Sequence, residues 1–289
     1  MKKLLLSTLV AASVAFSAGF GSASTDMDKT VDNPFIGGKS NFLIATASES
    51  GSYYKAGVKM SKQLTNAYSA TTDGSGQNLD LLSQNLVNVA FVQGDIFNEW
   101  KSKNPGLAEK FTVIITERTE HVHLITKKGT TEDDLQKKGS KVLVGVSKSG
   151  GAGSYRNMQL LEPNYVAEPM FGEIDAIAIN DLKQGKITGI IRTAHVEPGD
   201  VLISKVLADE SLTIEDLDDS DLNDKITLNG ETRPIYNFVS QNVQKGMFAK
   251  SAKMLETRVY IVINNELTSR KQRAEIADIV SMYKTTLFN

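Results

Sequence analysis

Cysteine is absent from the 289-residue chain. Disulfides, cysteine-ligated metals and a lipid-modified N-terminal cysteine are therefore excluded, and the fold must be held by its hydrophobic core. Histidine occurs three times and tryptophan once. So few imidazoles leave a thin supply of general bases, and no thiol is available as a nucleophile. A basic excess is missing too: the formal charge is −2. Without a basic stripe, nucleic acid and anionic lipid are poor partners.

Only the first residues hold a long apolar run. MKKLLLSTLVAASVAFSAGFGSAS joins two lysines, an apolar stretch and small residues ending near Ala23 or Ser24. That is the three-part pattern of a secretory signal peptide. Ser7, Thr8, Ser13, Ser17 and Gly19 weaken the run as a membrane anchor, which needs about 20 apolar residues. The expectation is export with cleavage of residues 1–24. The mature chain then loses Lys2 and Lys3 and no acid, and about 265 residues remain, enough for one large domain or two modest ones.

Residues 25–40 lack periodicity and read as a leader. NFLIATA is a buried-strand pattern, and Tyr54, Val58, Ser61, Leu64 and Tyr68 fall at helical spacings. TTDGSGQN (71–78) makes a second turn before a helix carrying Leu79, Leu82 and Leu86, and VAFVQGD follows as a strand. FTVIIT (111–116) and HVHLITK (121–127) read as two strands separated by ERTE. Thr131 and EDDLQKKG read as a brief capped helix ended by Gly139. KVLVGV (141–146) is a strand that runs into SKSGGAGS and a helix through Met158 and Leu161. EIDAIAINDLKQG reads as a helix stopped by Gly185, and ITGIIRT as a strand. Residues 197–221 are acid-rich and helical in part. Asn229-Gly230 between two strand-like runs signals a hairpin. TRVYIVIN is a strong strand, and Ser269 with Gln272 fits a capping box before the last helix. Strand–turn–helix alternation predicts an α/β fold with parallel strands.

Three turns share one character: SESGSYY, DGSGQN and SKSGGAGS each adjoin a strand and open a helix. Ligands of open α/β sheets sit against such helix starts. Glycine and serine also make ordinary turns and caps, and composition alone leaves the two readings level. Enzyme motifs fail. SKSGGAGSYRN lacks the Gly-Lys-Ser/Thr of a phosphate-binding loop, and Arg156 sits where a dinucleotide fingerprint needs its third glycine. No Gly-x-Ser-x-Gly elbow occurs. His121 and His123 point to one side of a strand, as a metal pair would, with Glu117 or His195 as third ligand. Strand histidines are more often tucked or exposed without metal, and neither metal nor cofactor is expected. Glu173 with Asp175, or the acids at 215–224, read as solvated charge before they read as an acid/base pair.

IATASESGSYYKAGVKMSKQL, followed by TTDGSGQNLDLLSQNLVNVAFVQGD, resembles the N-terminal half of the TAXI-type solute receptors of TRAP transporters. Its marks are Gly51, Tyr53 and Tyr54, then Thr72, Gly74, Ser75 and Asn78, and finally Gln93 and Asp95. EHVHLITKKG and KVLVGVSKSGGAGS resemble that family's next strand and the turn opening its second lobe. The resemblance covers residues 42–195 and, more loosely, the last strand and helix, while 196–250 do not match.

The resemblance implies a type II periplasmic binding protein with two α/β lobes and a ligand cleft between them. Lobe 1 would take 40–125 plus 236–289 and lobe 2 would take 126–235. The ligand implied is an amino acid or organic acid, handed to a membrane permease. Ser50, Gly51, Tyr53, Ser75, Asn78, Gln93, Ser149, Gly150 and Ser154 would line the cleft. Hydroxyls and helix N-termini would hold a carboxylate and the tyrosine would stack on the ligand body. Arg192 would supply a bidentate clamp, with Arg118 the second choice. Two alternatives use the same scaffold. A sensing subunit would present its bound form to a membrane receptor. An enzyme would need Glu49 or Glu120 as acid or base; no catalysis is expected.

Overall fold

The computed structural model describes residues 41–195, 201–228, 231–244 and 250–289. The expected signal segment, the 25–40 leader and the Asn229-Gly230 turn lie outside the described residues. The chain begins with β1 (Phe42–Ala45), α1 (Ser52–Ser61), β2 (Ala67–Ala70), α2 (Ser75–Ser83), β3 (Val89–Gln93) and α3 (Gly94–Lys103). Short α4 (Pro105–Ala108) leads into the long strand β4 (Phe111–Lys127). After a 3-10 turn at Glu132–Gln136 come β5 (Lys141–Leu143), α5 (Gly150–Leu161), β6 (Glu168–Met170), α6 (Ala176–Lys183) and β7 (Gly189–Ala194). Next are α7 (Val201–Ala208), β8 (Leu212–Glu215), a 3-10 turn at Ser220–Asn223, β9 (Lys225–Leu228) and β10 (Glu231–Pro234). The chain closes with β11 (Asn237–Gln244), β12 (Lys250–Asn264) and α8 (Arg270–Met282).

Among the described residues one sheet runs β2-β1-β3-β12-β4-β7-β5-β6, with β11 on β12 and β8 on β4. The outer groups are parallel: β1 pairs with β2 and β3, and β5 pairs with β6 and β7. Between them β4 and β12 run antiparallel to each other and to their neighbours. The expected parallel order thus holds within each group and breaks at the centre. β9 and β10 pair antiparallel as a separate ribbon.

Side-chain alternation explains the first lobe. Ile44, Phe91, Val259, Ile261 and Ile263 pack with Met60, Ile276 and Phe288 on one face, under α1 and α8. Ala45, Ala90, Val92, Tyr260 and Val262 pack with Leu79, Leu82 and Ile96 on the other, under α2 and α3. A strand covered on both faces needs an unbroken apolar run, and VAFVQ and VYIVI supply it. In the second lobe Val122, Leu124, Val144, Tyr155, Met158, Ile191 and Leu255 form one core. Ile125, Leu143, Leu182, Ile190, Val206, Ile214 and Met254 form another. The result is a two-lobed α/β fold.

Three expectations are corrected. FTVIIT and HVHLITK belong to one 17-residue strand. Its charged middle hides the continuity, because Arg118 and Glu120 face a cavity instead of a turn. Tyr68 is not on the first helix but in β2, after a left-handed break at Asn66 with φ 54°. KVLVGV is strand only as far as Leu143. Along both long central strands there are places where packing changes core. Those lie between Ile114 and Val122 in β4 and between Leu255 and Val259 in β12. In β4 the crossing falls in the charged ERTE stretch, which by its pattern reads as a turn between two strands and not as one strand that continues.

Candidate binding cavity

A cavity of about 1060 Å³ opens beside the crossing strands. Ser50 and Gly51 at the start of α1, Gly74 and Ser75 at the start of α2, and Gly150 at the start of α5 line it. Neither α1 nor α2 is capped by a side chain. The start of α1 thus keeps the backbone donors that a helix presents to an anion, while in α2 the Gly76 N–H is already given to Lys148 O. Gly74 has φ +124°, and Gly150 has Gln93 packed so closely that a Cβ would meet its Oε1 at 2.2 Å. Both glycines are dictated by backbone shape and close approach.

The floor is polar and buried. The Tyr53 hydroxyl donates to Glu120 Oε2 at 3.0 Å, and Ser75 Oγ accepts from Gln93 N at 3.0 Å. Burial pushes the Glu120 carboxyl up to about 7, against the hydrogen bond from Tyr53, the charge of Arg118 and a hydrogen bond from Gln93. Burial and then Glu120 raise the Tyr53 phenol, so it stays protonated. Arg118 and Arg192 stand on β4 and β7 at the cavity wall, with Thr193 and His195 beyond. Arg118 also lies 5.8 Å from the centre of the Phe288 ring.

The far wall comes from α6 and α7 through Ile174, Ile179, Leu202 and Val206. There Lys183 pairs with Asp209 and pulls its carboxyl down to about 2, cancelling both charges. Asp175 is spent on capping α6, accepting from Ile177 N and Ala178 N at 2.9 Å each. Lys55, Lys205, Arg118 and Arg192 then outweigh Asp73 and Glu120 among the remaining lining charges. The cavity therefore favours an anion-bearing guest.

Seven of the ten residues expected to hold the ligand line this cavity, Ser50, Gly51, Tyr53, Ser75, Gln93, Gly150 and Arg192, and so do the second-choice clamp Arg118 and the acid Glu120. Three do not, and their polar atoms have other partners. Asn78 donates to Thr46 O at 2.6 Å and Phe91 O at 2.7 Å, and accepts from Thr72. Ser149 caps α5 at Ala152 N and donates to Val144 O at 3.0 Å. Ser154 donates to Asp95 Oδ2 at 2.8 Å and accepts from Thr193 at 3.0 Å. Hydroxyl-rich turn sequences look alike whether a hydroxyl faces a ligand or its own backbone. Lys55, Thr193 and Lys205 were not singled out by sequence, Asp73 was part of the marked DGSGQN turn without a role of its own, and Asp175 was read as solvated charge.

His121 and His123 are both buried. The His121 ring lies 6.5 Å from that of His123 and 6.1 Å from that of His195. Burial, then the two neighbouring histidines, lowers His121 to about 4. Its Nε2 is 3.4 Å from Gln241 Nε2 and 3.7 Å from a Glu256 oxygen. Among the described residues the acidic or imidazole groups that converge closely enough to hold a metal are Glu162, Asp219 and Asp221, not these histidines. None of the described helices is long and apolar enough to cross a membrane.

Two solved structures share the architecture. One, described as a putative L-cystine ABC transporter from Listeria monocytogenes, is 13% identical and has a TM-score of 0.51, covering 86% of this chain and 92% of its own. The other, an ancestral arginine-binding protein bound to arginine, is 12% identical with a TM-score of 0.52, covering 86% and 95%. At such identity the likeness shows the fold, that of two-lobed binding proteins. No curated protein sequence matches the chain. A sequence model described as the NMT1-like family matches residues 44–239. That match takes in most of the chain, both parallel strand groups and every cavity-lining turn, and the protein belongs to the NMT1-like family.

Proposed function

We propose that this protein is an exported solute-binding protein that captures a small organic acid or amino acid and delivers it to a membrane transporter. The observation that carries the reading is the cavity itself. Its volume suits a small molecule, and uncapped helix starts from the first lobe and the start of α5 from the second meet at it beside two guanidinium groups. The fold shared with a cystine transporter protein and an arginine-binding protein supports the same reading. The order of motifs from Gly51 to Asp95 favours a TAXI-type receptor working with a TRAP permease. The pattern of residues 1–24 favours export to the periplasm with cleavage near Ser24. In this reading the protein changes no bond in its ligand. Closure of the lobes is the whole of its action.

A thermal-shift screen of amino acids and organic acids tests the proposal. A ligand that binds only the folded state raises the melting temperature, by about 2.7 kcal/mol of added stability at a hundred times its Kd. Silence across both classes, or turnover of a bound compound, would overturn it.

A further inference from the structure

We propose that Glu120, with Gln93 beside it, is the subsite for an ammonium group, so that the cavity selects α-amino acids over the same acids without the amino group. This rests on the capture reading and narrows its ligand class. The first support is the geometry of the floor. Tyr53, Gln93 and Glu120 all line the cavity and are 6%, 2% and 6% exposed. The one proton of the Tyr53 hydroxyl is already given to Glu120.

The second support is Gln93. Its Oε1 is buried and has no hydrogen-bond partner in the protein. A buried acceptor left unpaired is costly, and a donor arriving with the ligand removes that cost. Space for the amide exists because residue 150 is glycine.

The third support is polarity. The floor offers acceptors at Gln93 and Glu120, while the wall offers guanidinium donors at Arg118 and Arg192. An ammonium has three donors and no acceptor, so it matches the floor; a carboxylate brings only lone pairs and matches the wall. A molecule with both groups fits both ends.

The charged and titratable groups around Glu120 are Tyr53 from α1, Asp95 from α3 and Arg118 on its own strand. Arg192 of β7 and His195 just after it line the same cavity, and β12 sets Thr257 opposite. Near neutral pH the Glu120 carboxyl is partly protonated. A cation beside it favours the carboxylate, so binding releases a proton. A plain acid seated on a protonated Glu120 takes one up instead. The sign of the proton count separates the two.

The test is isothermal titration near pH 7 in buffers of different ionisation enthalpy. The probes are the common L-amino acids, each beside its deaminated counterpart. The expected result is an amino acid that binds at least about tenfold more tightly than its counterpart and releases a fraction of a proton. Glu120→Gln should abolish both the preference and the release. Should that variant misfold, Tyr53→Phe keeps the ring, withdraws the hydrogen bond that favours the carboxylate, and should enlarge the release. Equal affinity for the counterpart, proton uptake, or an unchanged proton count in the variants overturns the inference and leaves capture of acids standing. Binding by neither class overturns both.

Discussion

Ser154 on α5 donates a 2.8 Å hydrogen bond to the carboxylate of Asp95 on α3, tying the second lobe to the first through a buried acid. Tyr236 donates to the same oxygen at 2.7 Å and Thr257 to the other at 3.2 Å. Burial raises the Asp95 carboxyl, and these donors oppose the shift. Asp95 also lies in the first turn of α3, where the helix favours negative charge.

Asp95→Ala should therefore destabilise the protein strongly. It takes the acceptor from the buried Ser154 hydroxyl, at about 1–3 kcal/mol, and leaves the Tyr236 hydroxyl only its 3.2 Å contact with Ser154 O. Asp95→Asn keeps the shape and one acceptor and should cost less. Urea unfolding gives the answer through its midpoint, and an unmoved midpoint in Asp95→Ala would show that the network adds nothing.

Stability should depend on pH through two opposed groups. Glu120 lies at about 7 in the folded chain against an ordinary 4.5. Its folded form holds the proton more tightly, so its contribution is complete below about 4.5 and is lost as pH rises through 7. The loss is on the order of 3 kcal/mol. His121 goes the other way, from an ordinary 6.5 to about 4. Its contribution is present above 6.5 and is lost as pH falls through 4. Its ring faces His123, His195, Arg118 and Glu256. Glu120→Gln should gain on the native protein between pH 5 and 8, and His121→Asn should flatten the acid arm. Denaturation midpoints across pH 4 to 8 decide, since parallel profiles would mean that neither group titrates in that window.

Arg192→Ala should weaken binding of an acidic ligand about tenfold or more, the worth of a charge-assisted hydrogen bond of about 1.5–3 kcal/mol. Arg192 lines the cavity near the end of β7 and is half-buried. Calorimetry with the ligand found by screening checks this. Equal affinity in the variant would remove Arg192 from the site.

Much of this cavity was legible in the sequence because helix starts announce themselves. SESGSYY, DGSGQN and SGGAGS mark the openings of α1, α2 and α5, and each contributes a lining residue. The capping box at Ser269 and Gln272 was equally plain and is present in α8. What stayed hidden depends on distant chain segments meeting. From sequence Glu120 was named only as the acid an enzyme would need, and Arg118 only as the second-choice clamp, because ERTE reads as a turn until β4 is seen to be continuous. Only then do Arg118 and Glu120 turn toward the cavity while Ile114 and Val122 pack into different cores. Asn78, Ser149 and Ser154 lie off the cavity lining and use their polar atoms within the protein. A hydroxyl or amide beside a helix start has strong local uses, and no sequence pattern tells those from contact with a ligand.

The lobes meet at a second place, where closure itself can be tested. Gly76 N on α2 donates to Lys148 O at 3.0 Å, and Lys148 pairs with Asp80. Lys148 precedes α5, so these contacts link the turn opening the second lobe's helix to α2 of the first. Both partners of the ion pair are partly exposed, and such a surface pair is worth only about 0–1 kcal/mol. It is too weak to hold the lobes shut by itself, and a ligand touching both sides supplies the difference. Lys148→Ala should change affinity by no more than about threefold. Gly76→Val should do far more, because even a Cβ at that position lies 3.0 Å from Lys148 O. Its branched side chain wedges the two turns apart, so the variant should bind weakly and stay expanded. Small-angle scattering with saturating ligand should show the native protein contracting and Gly76→Val failing to do so. A native radius of gyration that does not change, in a sample that calorimetry shows to be fully bound, would mean that capture proceeds without closure.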